Sequence, residues 1–282
     1  MAKTIITLGL PSSGKSCYLS AAVGYMFRHR MYNIVGLNRN LQELTDEIEE
    51  RMQSGQWVDK TTGRMEYQFT KKGVFDTEYI LHDWNGEYFQ LLGLDGEQAK
   101  NGWTKAQENI DGRKVAGNAL CELYEKDCKE ADAILLFIDG KTLMDSEDKK
   151  TTRQSLYTLV SFLRESQKKQ VISVVLTKSD YLEGNKEFCG TDKMIDMKRI
   201  VKNMRSKYNS FLSEVISAGN KISVSVVSCV PVKEHRSNSS GGGTVPNEKW
   251  SLEDLKKTNA SGGDDDRYND MLTPIKWVIN NL

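Results

Sequence analysis

The sequence predicts an α/β fold with three layers: a mostly parallel central sheet with helices on both faces. Three observations carry this. Apolar runs of strand length alternate with stretches whose apolar residues recur at helical spacing. Two of those runs, AILLFIDG (Ala133–Gly140) and VISVVL (Val171–Leu176), are almost unbroken, the mark of strands buried on both faces. The first run, Ile5–Leu8, passes through a glycine-bearing turn straight into a helical stretch.

That stretch, Lys15–Arg30, places Leu19, Val23, Met26 and Phe27 on one face. A second helix is expected over Leu41–Met52, acidic on its exposed side. RMEYQFT (Arg64–Thr70) and FDTEYILH (Phe75–His82) read as strands joined by a turn at Lys71-Lys72-Gly73, which makes one antiparallel edge hairpin. Gly93–Gly117 is polar and glycine-containing and reads as a mobile connection. Helices follow over Asn118–Glu130, Thr152–Lys168 and most of Met194–Ile216, with a last strand at Ile222–Val227. Lys233–Asp270 contains SNSSGGG and SGGDDD and reads as a mobile low-complexity insertion. Pro274–Leu282 is expected to dock back as a helix through Trp277 and Val278. The whole chain, 1–282, reads as a single domain.

The 39 basic and 39 acidic side chains cancel, so neither nucleic acid nor an anionic membrane is an expected partner. The longest strongly apolar run, Ala133–Ile138, falls far short of the roughly 20 residues that span a bilayer. Met1-Ala2-Lys3-Thr4 enters a strand without a leader-like apolar segment, and Ala2 stands where myristoylation needs glycine. Cys17, Cys121, Cys128, Cys189 and Cys229 contain no C-x-x-C pair, and His29, His82 and His235 lack ligand spacing. Free thiols and a cytoplasmic location are the expectation.

GLPSSGKS, Gly9–Ser16, has the G-x-x-x-x-G-K-S spacing of a phosphate-binding loop. Its glycines let the backbone curl until successive N–H groups face a phosphate, and the helix adds the positive end of its dipole. Pro11 has no N–H to give, so the cradle rests on Ser13, Gly14, Lys15 and Ser16, with Ser12 and Cys17 beside them. Lys15 is expected to reach the β and γ phosphates, and the Ser16 hydroxyl to bind Mg²⁺. On a three-layer sheet this is a P-loop NTPase fold.

Two later segments bear on the nucleotide. VVLTKSD (Val174–Asp180) ends a buried strand, where the Asp180 carboxylate can accept two hydrogen bonds from the edge of guanine and Lys178 can lay its stem over the base. LHDWNGE (Leu81–Glu87) ends another strand, where Asp83 can hold Mg²⁺ through water and Gly86 can offer its N–H to a γ-phosphate.

In this order the three motifs resemble the Ras-like P-loop GTPases of the translation-factor-related class, over Met1 to about Val232 and the final helix. GLPSSGKS matches the first nucleotide-binding box, DWNG the third and TKSD the fourth. The resemblance implies GTP hydrolysis to GDP and phosphate with Mg²⁺, coupled to a conformational switch. It implies that Ser228-Cys229-Val230 is the fifth box, whose backbone touches the guanine O6. It implies a switch threonine ahead of the hairpin, Thr61 first and Thr62 second, which joins Ser16 and Asp83 at the metal. Lys15, Gly86, Glu87 and Thr61 then form the catalytic set, although Glu87 stands where the best-known members carry a water-orienting glutamine. Arg64 and Arg113 are the arginine-finger candidates, and each reads better as solvated surface charge. At finer grain, GLPSSGKSCYLSA, GQWVDKT, HDWNGE and TPIKWVINNL look like GTPases of bacterial conflict and phage-defence operons, which implies a protein partner or effector encoded nearby.

Two other readings stay open. AILLFID can be a Walker B strand, with Asp139 binding the metal of an ATPase. Alternatively, the chain binds nucleotide as an assembly module, a nucleotide-dependent oligomer with negligible turnover.

Overall fold

The computed structural model describes residues 2–36, 40–54, 64–71, 76–110, 112–144, 146–178, 182, 185–190, 196–227 and 271–282. In chain order, the first half contains β1 (Lys3–Gly9), α1 (Lys15–Arg28), β2 (Asn33–Gly36), α2 (Leu41–Ser54), β3 (Met65–Lys71), β4 (Thr77–Asp83), α3 (Gly86–Leu92) and α4 (Gly96–Lys105). Next come β5 (Gln107–Ile110), β6 (Arg113–Ala116), α5 (Gly117–Glu130), β7 (Ala133–Asp139), α6 (Gly140–Met144) and α7 (Ser146–Glu165). The chain then forms β8 (Val171–Thr177), α8 (Met197–Lys207), α9 (Asn209–Ser217), β9 (Lys221–Val226) and α10 (Thr273–Asn281).

Seven strands form one sheet in the order β2-β3-β4-β1-β7-β8-β9. The run from β4 to β9 is parallel throughout, and β3 is antiparallel to both β4 and β2. The side-chain period of two divides each central strand between two helical layers. On β7, Ala133, Leu135 and Phe137 share a core with Tyr18, Leu19 and Val23 of α1 and with Ile275 and Val278 of α10. Ile134, Leu136 and Ile138 face the other way, into a core with α3, α5, α7, α8 and α9. This is the three-layer α/β fold that the sequence predicts. The docking of α10 is as expected: Ile275, Val278 and Ile279 are buried, each stabilising by about 1.5–3 kcal/mol, and Trp277 packs at the margin.

Several expectations need correction. The β3–β4 pair is antiparallel, but it is not the edge. The short strand β2 lies outside it, and only Ile34 of its four residues is buried, too little to signal a strand. Gly93–Gly117 is not a bare connection. It folds as α4 and a separate β5–β6 hairpin whose turn passes through Gly112 in the left-handed region. A few anchors hold it down. Trp103 is buried and stacks on Tyr88 with ring centroids 5.5 Å apart, Ile110 is buried, and the Gly117 N–H donates to the Ala106 carbonyl. The expected helix over Met194–Ile216 is two helices that meet at Tyr208, and α7 begins earlier than Thr152. The expected insertion over Lys233–Asp270 lies wholly outside the described residues.

The hydrogen-bonded amides of α4 and the β5–β6 hairpin are expected to exchange slowly. Hydrogen exchange should show protection in α4 and the β5–β6 hairpin rather than solvent-like rates. Trp103→Ala removes the central anchor and is expected to cost about 3 kcal/mol in a denaturant melt.

Candidate functional site

The carboxyl ends of β1, β4, β7 and β8 lie side by side in the sheet, the edge at which open α/β sheets bind ligands. From β1 the chain turns through Gly9–Ser16 into α1. Two residues of the turn, Ser12 (φ 62°) and Gly14 (φ 79°), adopt left-handed backbone, and the Ser13 N–H donates to the Leu10 carbonyl at 3.1 Å. Gly14 is the N-cap of α1 and has no side chain with which to satisfy the helix's first N–H groups. Ser16 and Cys17 follow in the first turn, partly buried.

Lys15 is 5% exposed, and its amino group pairs with the Asp83 carboxylate at the end of β4. Thr7 and Asp83 are partners in the parallel register of β1 and β4, and the Thr7 hydroxyl donates to Asp83 Oδ1 at 2.6 Å. Both threonines that bear on the loop escape the sequence reading. Thr7 is a polar residue in an apolar strand, which is the available signal. Thr177, the first residue of TKSD, donates its hydroxyl to the Ser13 carbonyl and lies 3.3 Å from where a Cβ on Gly14 would stand.

After Asp83 the chain continues through Trp84 and Asn85 into α3. The Asn85 side chain accepts from the Glu87 N–H at 3.1 Å and caps this helix, leaving Glu87 exposed in its first turn. Gly86 lies hard against the phosphate loop. A Cβ there would come within 2.9 Å of Gly9 O, Leu10 C and Pro11 N. At the end of β8, Lys178 has left-handed backbone (φ 49°), and its amino group stands 3.8 Å from Asp139 Oδ2. Thus Ser12, Ser13, Gly14, Lys15, Ser16, Cys17, Asp83, Gly86, Glu87 and Lys178 gather at one edge of the sheet. Thr61, Thr62, Asp180, Ser228, Cys229 and Val230 lie outside the described residues.

Three features fit a phosphate with a divalent cation. The Ser13 hydroxyl is buried and makes no hydrogen bond among the described residues. The start of α1 carries the positive end of the helix dipole, which an anion complements. Lys15 and Asp83 neutralise each other, and a phosphate–magnesium pair offers each a partner of opposite charge. No cluster of three or more His, Cys, Asp or Glu suited to a metal occurs among the described residues.

Arg64 is not the solvated charge expected. Its side chain is 9% exposed, pairs with Glu66 and Asp127, and lies 5.3 Å over the Trp84 ring. Arg113 is exposed on β6, as expected. Asp127 Oδ2 accepts from Arg64 at 3.2 Å, Trp84 Nε1 at 3.0 Å and His82 Nδ1 at 3.1 Å. Burial would raise the Asp127 pKa, but the His82 hydrogen bond and charge, the Arg64 charge and the Trp84 indole together hold it below the usual carboxylate value. Trp84 also packs edge-on against Tyr88 and Tyr124, and the Tyr88 hydroxyl donates to Glu108 of β5.

The family model Double-GTPase 2 matches residues 3–242. The chain belongs to the Double-GTPase 2 family. The expectation of a Ras-like P-loop GTPase is borne out, and this family member is a guanine-nucleotide-binding protein. No curated protein matches its sequence. Among solved structures it is similar to a chain of the mammalian SRP receptor, at 12% identity and TM-score 0.42, over 80% of this chain and 92% of that one. It is similar to a chain of the SRb-GTP/SRX signal recognition particle receptor complex of Chaetomium thermophilum, at 10% identity and TM-score 0.43, over 86% and 94%. A third is the bacterial selenocysteine-specific elongation factor EF-Sec, at 14% identity and TM-score 0.36, over 100% of this chain and 29% of that one. None of the helices is long and apolar enough to cross a membrane among the described residues.

Two outcomes follow for this Double-GTPase 2 protein. Gly86→Ala forces the loop backbone to shift and is expected to weaken guanine nucleotide binding about tenfold or more by calorimetry, with little loss of Tm. Asp127→Asn is expected to cost about 2 kcal/mol at pH 7. Because the folded-state pKa of Asp127 is lowered from 3.8, its contribution is present above that value and is lost as pH falls through the lower folded one. Urea melts of wild type and variant should therefore converge in acid.

Proposed function

We propose that this GTPase-family protein binds GTP with Mg²⁺, hydrolyses it to GDP and phosphate, and acts as a nucleotide-dependent switch. We further propose that it does so as one G domain over 1–282, with an insertion at 233–270, in the cytoplasm. It would work beside a protein partner of a bacterial anti-phage or conflict system. The observation that carries the reading is the bond from the Thr177 hydroxyl to the Ser13 carbonyl. It fastens Thr177, the first residue of TKSD, to the phosphate loop, which supports reading a base reader and a phosphate cradle as one unit.

In this reading Lys15 and the loop N–H groups from Gly14 to Cys17 hold the β and γ phosphates, the Ser13 N–H being taken by the Leu10 carbonyl. Ser16, Asp83 and Thr61, or Thr62 in its place, hold the metal, which when bound offsets the charge on the phosphates. Lys178 covers the base, Asp180 accepts its edge hydrogen bonds, and the Ser228-Cys229-Val230 backbone meets the guanine O6. Gly86 and Glu87 position the attacking water, and catalysis is mostly orientation and charge stabilisation. The surroundings of Asp139 speak against its serving an ATPase metal. Its Oδ1 accepts from the N–H and hydroxyl of Thr142, and its Oδ2 faces Lys178. Asp83, by contrast, faces the phosphate-loop lysine. The defence-system context rests on the likeness of GLPSSGKSCYLSA, GQWVDKT, HDWNGE and TPIKWVINNL to that group.

Titration with fluorescent GTP and ATP analogues in Mg²⁺ tests the core of this. GTP should bind far better than ATP, and Asp180→Asn should lose guanine and gain xanthine nucleotide. Equal binding of ATP, with an inert Asp180→Asn, would sink the reading. Phosphate release by the wild type separates an enzyme from a static binder.

A further inference from the structure

The corner where β7 ends bears directly on the lysine of TKSD. Asp139 and Thr177 are register partners across β7 and β8, so the residues after them, Gly140 and Lys178, emerge together. Gly140 opens α6, and there is no room on it for a side chain. A Cβ would overlap the Lys178 carbonyl oxygen and lie 3.4 Å from Leu182 Cγ. Leu182 is fully buried, and its carbonyl accepts from the Asn185 N–H and the Cys189 thiol, so it has little freedom to give way. Lys178 itself holds left-handed backbone, which a residue with a Cβ adopts at a cost and keeps only where its surroundings impose it. Asp139 addresses the other end of the same lysine. Its Oδ1 is fixed by the Thr142 N–H at 2.7 Å and the Thr142 hydroxyl at 2.6 Å. That leaves Oδ2 facing the Lys178 amino group at 3.8 Å.

We propose that Asp139 and Gly140 are positioning residues for base selectivity: Gly140 admits the Lys178 backbone, and Asp139 aims its side chain. This rests on the reading that TKSD recognises guanine. A free lysine stem samples many rotamers, and one tethered at its tip loses less entropy when it lies down over a base. The pair is partly exposed, so its own energy is small, and its effect is on direction. The partners that carry this effect, Thr142, Lys178 and Leu182, lie outside the phosphate loop, so phosphate binding should be unaffected.

The test uses the full chain and measures affinity for GTP, for ATP and for inorganic triphosphate as competitor. Gly140→Ala is expected to lower the GTP-over-ATP preference about tenfold or more, and Asp139→Asn, which keeps an acceptor for Thr142, about threefold. Triphosphate affinity should hold in both. In a Lys178→Met background, Asp139→Asn should add nothing further. Should Gly140→Ala fail to fold, Asp139→Asn in the two backgrounds decides. Wild-type preference in both variants would overturn the proposal, as would parallel losses of GTP and triphosphate. A wild type that does not prefer GTP, or an inert Asp180→Asn, overturns the base reading itself and this inference with it.

Discussion

A lysine and an aspartate, both nearly out of water, face each other at the mouth of the sheet, and much of the site's arrangement serves to place them. Burying two charges is costly unless geometry and further hydrogen bonds compensate. Compensation here comes from the sheet itself. Asp83 ends β4 in register with Thr7 on β1, so a threonine hydroxyl meets the carboxylate directly. Lys15 reaches the same oxygen from the first turn of α1, because the loop between β1 and α1 curls back over the strand end. A sheet order other than β4 beside β1 would leave the lysine buried without a counter-charge.

Backbone close approach does the rest. Gly86 lets the start of α3 lie against Gly9–Pro11, and Gly14 lets the loop lie against Thr177. The Thr177 hydroxyl then ties the loop to β8, two strands away from β1 with β7 between. Beside the Lys15–Asp83 pair, the strand ends and the loop are joined by threonine hydroxyls and by glycines at the contacts. A bulky residue at any of these points would separate the segments by a carbon diameter, a large error where hydrogen bonds set the geometry.

The parts of this protein legible in its sequence are those with strong local signals. The unbroken apolar strands β7 and β8 announce a parallel sheet, and the G-x-x-x-x-G-K-S spacing announces the loop. The order of α4 and the β5–β6 hairpin is not legible locally, because it depends on Trp103, Ile110 and the ring of Tyr88, contacts between residues that no periodicity links. The environment of Arg64 is hidden from the sequence for a related reason. Its partners Glu66, Asp127 and Trp84 lie on β3, on α5 and just past β4, and only the tertiary fold assembles them. Thr177 stood inside a motif already recognised, yet its bond to Ser13 spans most of the chain and has no signature in the four residues TKSD.

Asp127 shows how such a non-local group constrains its neighbours. One of its oxygens accepts from the arginine that leads into β3, the histidine of β4 and the indole of DWNG's tryptophan. Arg64 in turn covers the face of that same tryptophan, and the ring packs edge-on against Tyr88 and Tyr124. Withdrawing Trp84 alone would leave a mostly buried carboxylate with one donor fewer and Arg64 without its aromatic platform. Withdrawing Arg64 alone would remove the network's arginine charge. Either displacement is more costly by itself than it would be on an open surface, so the start of β3 and the start of the DWNG turn are energetically one piece.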